Sequence, residues 1–346
     1  MSFERSWSRA TVKDSYHGYQ HPAIISPILS KNMIFSGNSV DGIVAFDQKM
    51  GHQKWRMNFK DGTEGLAVDE KTGLYFGTNN GHFYHVDAST GATVWSFLIG
   101  AEAVSAPLIQ GEYVYHMAGN GSLYCLEKET GRVLWVKSRT PKDALTVRGT
   151  TSPVFFDGKI GVGYSDGYFV AYTAVDGGVA WEKQLGDSRK FNDVDAKPTL
   201  SERCVLVSNV GEALFCLDKA NGTVLWRLDE GGSAHPAAVV GESVYYSTEN
   251  SILKVDLKSG KLIKRFDQDK KWGMVSGVNA YKSWLVFALS EGPVVLMDRE
   301  TGEWVDQFHT GRGASIMPTL VLSSAEVYVV SNQANIYKLK IVSNAR

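Results

Sequence analysis

Three stretches of the 346-residue chain repeat one another: Gly81-His-Phe-Tyr-His-Val-Asp87-Ala-Ser-Thr-Gly91-Ala-Thr-Val-Trp95, Gly121-Ser-Leu-Tyr-Cys-Leu-Glu127-Lys-Glu-Thr-Gly131-Arg-Val-Leu-Trp135 and Gly211-Glu-Ala-Leu-Phe-Cys-Leu-Asp218-Lys-Ala-Asn-Gly222-Thr-Val-Leu-Trp226. In each, a run alternating apolar with other residues leads into a turn, and a second run carries a large aromatic. The alternation is that of a strand with one face on a core. An acidic residue stands four before the turn glycine, at Asp47, Asp87, Glu127, Asp218, Asp256 and Asp298. Its carboxylate can accept backbone N–H groups and close the turn, while glycine supplies the positive φ of a tight hairpin. Four residues after the glycine comes Trp55, Trp95, Trp135, Trp181 or Trp226. A tryptophan on an outer strand can bury ~150–250 Å² against a neighbouring repeat.

The turn glycine recurs at Gly51, Gly91, Gly131, Gly177, Gly222, Gly260 and Gly302, with spacings of 40, 40, 46, 45, 38 and 42. A period near 42 signals a repeat architecture rather than a set of ordinary domains. Three repeats depart from the pattern, with Thr173 at an acidic position and Lys264 and Asp306 at tryptophan positions. A second marker opens most repeats: Pro27, Pro107, Pro153, Pro198, Pro236 and Pro318 precede apolar runs, where proline forfeits no ladder donor. With the proline-less repeats near Leu66 and Val278, this makes eight first strands against seven turn glycines. The last repeat therefore lacks an outer strand, and Ser6-Trp7-Ser8 supplies one. The expectation is an all-β, eight-bladed β-propeller spanning 1–346 as a single domain. Its N-terminal strand, near 3–9, pairs with the C-terminal blade, 317–341, and closes the ring without an open seam. The alternative is a seven-bladed ring with a loose N-terminal arm.

Formal net charge is −1, from 36 basic and 37 acidic residues, which gives no electrostatic reason to expect nucleic acid or an anionic bilayer. No run approaches the roughly 18 apolar residues of a membrane span. The opening Met1-Ser2-Phe3-Glu4-Arg5 has no apolar h-region. Cys125, Cys204 and Cys216 show no C-x-x-C spacing and read as small buried apolar residues rather than as a disulfide or a nucleophile. His82 and His85 stand three apart in one strand and point to opposite faces, so they cannot share a metal. No nucleophile elbow, phosphate loop or dinucleotide fingerprint is present. The repeated carboxylates sit in turns spread around the ring, the wrong arrangement for acid–base catalysis.

These repeats resemble the PQQ-repeat propellers over essentially the whole chain. That family holds quinoprotein dehydrogenases, which bind pyrroloquinoline quinone and calcium, and non-enzymatic scaffolds, chiefly the BamB lipoproteins of the β-barrel assembly machinery. Two motifs favour the scaffolds. Leu145-Thr146-Val147-Arg148-Gly149 resembles a Leu-Ser-Leu-Arg-Gly loop of the BamB group, and Asn192-Asp193-Val194-Asp195 resembles its Ser-Asp-Val-Asp loop. The resemblance implies contact with BamA, the barrel-inserting subunit, through Leu145, Val147, Arg148, Asp193 and Asp195; Val147 replaces a leucine. It also implies a periplasmic location at the outer membrane, a lipidated cysteine upstream of Met1, and nascent outer-membrane proteins as further partners.

The repeat arithmetic points to the same segments independently. The two long periods, 46 and 45, are the ones that contain the motifs. Insertions in repeat arrays map to loops, often on the binding face, and both are the same kind of connection, so they emerge side by side on one face. Arg148 can grip a partner or pair internally with Asp193 or Asp195, which would preorganise the patch. Two carboxylates fall short of the ~6–8 oxygen ligands of calcium, so no metal is expected. The long connection from Trp7 to Pro27, carrying Tyr16, His17, Tyr19, Gln20 and His21, is expected on the same face. No cofactor and no catalytic residue are expected. Quinoprotein enzymes seat their cofactor against an adjacent-cysteine disulfide or a tryptophan floor, and here no Cys-Cys pair exists and the repeat tryptophans are committed to packing. A generic PQQ-repeat scaffold of another complex is the second reading.

Overall fold

The computed structural model describes residues 1–13, 26–38, 40, 42–59, 62–63, 65–103, 105–139, 151–186, 193–209, 213–311 and 320–343. They form eight four-stranded antiparallel sheets, seven of them running in sequence order. The eighth is mixed in origin: strand Ser2–Ala10 pairs with Asn335–Val342, followed inward by Glu326–Val330 and Val321–Ser323. The protein is an eight-bladed β-propeller whose first strand completes its last blade, as the repeat count requires. The seven-bladed alternative does not hold.

Within a blade, burial follows strand position. The second and third strands are almost wholly buried, as in Met33–Asn38 and Gly42–Asp47, whereas the outer strand, as in Gln53–Asn58, alternates toward solvent. First strands of successive blades, such as Ile28–Leu29 and Leu66–Asp69, approach one another and stand at the hub. The core lies between blades: Phe35, Ala45 and Trp55 of blade one pack on Leu74, Phe76 and Val86 of blade two.

One joint recurs. Each outer strand carries a bulge just before its aromatic position, as between His85 and Val86 opposite Thr93–Leu98, and the tryptophan leans onto the next blade's turn. Its Nε1 donates to the carbonyl following the acidic position: Trp55 to Ala88 (2.9 Å), Trp95 to Lys128 (3.0 Å), Trp181 to Lys219 (3.1 Å) and Trp226 to Leu257 (2.8 Å). The acidic residues close these turns as expected. Asp47 accepts from the N–H groups of Met50 (2.7 Å) and His52 (2.9 Å), and these bonds, Met50 first, hold its carboxyl below the usual range.

The departures have physical explanations. At Thr173 the carboxylate arrives three residues later, because the Thr173 hydroxyl donates to Asp176, which accepts from the N–H of Gly178 at 2.9 Å. In blade six Lys264 Nζ donates to the Glu300 carbonyl at 2.6 Å, while Phe266 packs on the Gly302 turn in place of tryptophan. In blade seven Asp306 accepts from the backbone N–H of Phe3 at 2.6 Å, tying that blade to the closing strand.

The reading of the cysteines needs correction. Cys204 and Cys216 form a disulfide with a Cα–Cα distance of 5.6 Å, and only Cys125 is a free, buried thiol. Strands Cys204–Ser208 and Leu214–Asp218 pair with Cys204 opposite Asp218 and Leu206 opposite Cys216. The two cysteines are thus diagonal neighbours, within reach of each other across the ladder. Sequence separation alone does not reveal that register.

Candidate functional site

In an antiparallel four-stranded blade, the connection from the outer strand to the next blade leaves from the same end as the turn between the second and third strands. Hydrogen bonds tie the two together here. Leu185 N donates to Gly167 O (2.8 Å) and Val194 N to Tyr164 O (3.2 Å), while Arg139 N donates to Gly121 O (3.1 Å). The two lengthened connections, 139–153 and 185–198, therefore root on one face of the ring, on either side of blade four (154–184).

Their roots also bond to each other. Thr151, buried at the end of the first connection, donates its hydroxyl to the Ala196 carbonyl of the second at 3.2 Å. Underneath, the Val194 carbonyl lies so close to Gly163 that an added Cβ there would stand 2.2 Å from it. This is a site where only glycine admits the approaching backbone.

Arg139 forms the other half of the platform. From the end of blade three it reaches into blade four, where Nε donates to Asp166 (2.5 Å) and Nη1 to Glu182 (2.9 Å). Its guanidinium lies 4.0 Å from the centre of the Tyr168 ring. A planar fork stacked on an aromatic ring and held by two carboxylates is an arrangement lysine cannot reproduce. Sequence reasoning missed Arg139 and Thr151. For Arg139 a signal existed, a basic residue four after Trp135 at the mouth of the insertion, but its partners lie in another repeat.

Of the expected contact residues, Leu145, Val147 and Arg148 lie outside the described residues, as does the Tyr16–His21 segment. Asp193 and Asp195 are described and differ from each other. Asp193 is fully buried beside buried Val194, whereas Asp195 is partly open to solvent. Burial, and then the charge of Asp193, pushes the Asp195 carboxyl from 3.8 up to about 7. Two carboxylates share a poorly solvated root, and only Asp195 presents a surface. Among the described residues no three His, Cys, Asp or Glu side chains gather as metal ligands.

The described repeat tryptophans each donate to a neighbouring blade's turn, so none of them floors a central cofactor pocket. The only disulfide among the described residues joins cysteines twelve apart rather than adjacent ones. Among the described residues, neither an adjacent-cysteine disulfide nor a repeat tryptophan free of blade packing is found for a quinone seat.

A closed wheel of eight blades with bonded connections over one blade defines a repeat propeller of the PQQ type. The chain belongs to the family described as outer membrane protein assembly factor BamB, whose profile matches residues 40–266. An assembly factor BamB of Shewanella oneidensis is 25% identical over 368 residues, covering 98% of this chain and 89% of that protein. In three dimensions the chain is similar to BamB from Moraxella catarrhalis, with TM-score 0.83 and 17% identity over 98% of this chain and 100% of that one. It is also similar to the quinohemoprotein alcohol dehydrogenase of Comamonas testosteroni, with TM-score 0.77 and 14% identity over 99% and 77%. Fold alone therefore does not separate scaffold from enzyme, and the separation rests on the site and the family.

Proposed function

We propose that this protein is a non-catalytic scaffold of the outer-membrane β-barrel assembly machinery, docked on the periplasmic domains of BamA by the two connections over blade four. Leu145, Val147, Arg148 and Asp195 make the contact. Asp193, fully buried at the root of the second connection, is less accessible to a partner than Asp195. The observation that carries this reading is the Thr151–Ala196 bond, which joins the roots of the two motif-bearing connections. Preorganisation spares the ordering cost that a loose loop incurs on binding. The name shared by its relatives supports a role in outer-membrane protein assembly.

The Cys204–Cys216 disulfide supports a periplasmic location, since such bonds persist in oxidising compartments. A lipid anchor on a cysteine upstream of Met1 completes the proposal. Retention of the protein on immobilised BamA periplasmic domains tests it. Arg148→Ala and Asp195→Ala each reduce retention, and equal retention of both variants and the parent refutes the site.

A further inference from the structure

Among the described residues, the eight outer strands have no partner strand on one side of their ladder, and proteins guard such edges with charge. Seven of the eight do so here. Ser2–Ala10 carries Glu4, Arg5 and Arg9; Gln53–Asn58 carries Lys54 and Arg56; Leu262–Asp267 carries Lys264, Arg265 and Asp267. Val133–Ser138, Val179–Gln184, Val224–Leu228 and Trp304–Phe308 each hold at least one charged residue. Blade two's Thr93–Leu98, Thr-Val-Trp-Ser-Phe-Leu, has none. The uncharged run extends through residues 88–101, from Asp87 to Glu102.

The bulge at Val94 is no guard specific to this blade, because every outer strand has its counterpart. Two apolar side chains stand out from this edge, Val94 at 54% exposure and Leu98 at 61%. Half-buried Trp95 and Phe97 lie between them, Phe97 set edge-on to Tyr124 of blade three at 5.9 Å.

We propose that the outer strand of blade two is a strand-addition site whose occupant is an extended, unfolded polypeptide segment with alternating apolar and polar residues. The unpaired backbone of the edge supplies the binding and is indifferent to sequence. Val94 and Leu98, four residues apart on the exposed side, select apolar side chains at two positions, and the absence of charge lets an uncharged strand approach. That chemistry is the chemistry of a barrel strand before it is built into a sheet. The assignment rests on the assembly reading above and adds a client surface on the rim, separate from the proposed BamA site.

The test uses the whole protein and a fluorescent twelve-residue peptide of alternating valine and threonine, followed by anisotropy. Val94→Lys/Leu98→Lys is expected to weaken binding by roughly tenfold or more, with unfolding unchanged. Leu225→Lys, on the guarded edge of blade five, retains parental binding. A peptide with proline at alternate positions, unable to pair its backbone, fails to bind the parent. Equal binding by the double variant, equal loss in Leu225→Lys, or undiminished binding of the proline peptide overturns the proposal. So does a dimer held by this edge that leaves the peptide unbound. Retention on BamA is read separately: the double variant keeps it, so failure of the client edge and failure of the docking site are distinguishable.

Discussion

The indole Nε1 of Trp7 donates to the carbonyl of Gln48 at 3.1 Å, and the same ring packs on the Gly51 turn. This is the joint that Trp55 makes with Ala88 and Trp226 with Leu257, formed between residues from the first strand of the chain and blade one. The ring is closed by a copy of its own repeat contact.

Removing that joint should open the seam. Trp7→Ala deletes a ring that is 6% exposed and is expected to cost about 3–5 kcal/mol, the range for truncating a buried aromatic. Urea unfolding should place it alongside Trp226→Ala. A loss under about 0.5 kcal/mol would mean that the first strand is dispensable for closure.

Turn glycines differ in what surrounds them. A Cβ on Gly91, at φ +75°, would lie 2.8 Å from Cε3 of Trp55, whereas one on Gly111, at φ +60°, meets nothing within 4 Å. Gly111→Ala therefore incurs only backbone strain, about 1 kcal/mol. Gly91→Ala adds displacement of the indole and should cost at least twice that in thermal or chemical unfolding.

The disulfide predicts a thiol count. Denatured without reductant, the protein should take up alkylating reagent at Cys125 alone, and after reduction at all three cysteines. Closure of a loop of this length stabilises by about 3 kcal/mol in the chain-entropy account. Cys204→Ser/Cys216→Ser should lose stability on that order, measured against parent under non-reducing conditions.

Asp195 predicts a pH signature. Unfolded, it ionises near 3.8; folded, it keeps its proton to about 7. Between those values the native state holds the extra proton, so this group's contribution to stability falls as pH rises and is level above about 7. Asp195→Asn removes that loss. Its stability relative to parent should climb between pH 4 and 7, by on the order of 1–3 kcal/mol given the partial solvent exposure. A difference independent of pH would contradict the shift.

Blade number, seam closure and the positions of the lengthened connections were legible because each follows from a spacing along the chain: tryptophan four after glycine, acid four before it. What escaped depends on relations between strands. Cys204 and Cys216 meet through a diagonal ladder register. Phe266 takes over a tryptophan's place because Lys264 engages the neighbouring turn instead. The Asp193-Val194-Asp195 motif was legible as a motif, but its seat was not: Val194 bonds to Tyr164 and packs on Gly163 at the end of a blade-four strand. Arg139 was legible as a basic residue at the mouth of the insertion but its role was not, since its carboxylate partners lie 27 and 43 residues away.

The central claim is that blade four's two connections grip BamA. Photo-cross-linking in the assembled machinery addresses it directly, with a photoreactive residue placed singly at positions 145, 148, 195, 225 and 263. Adducts with BamA from 145, 148 and 195, and none from 225 or 263 on the outer rim, are the predicted result. Adducts from the rim positions with silence at 145, 148 and 195 would contradict it.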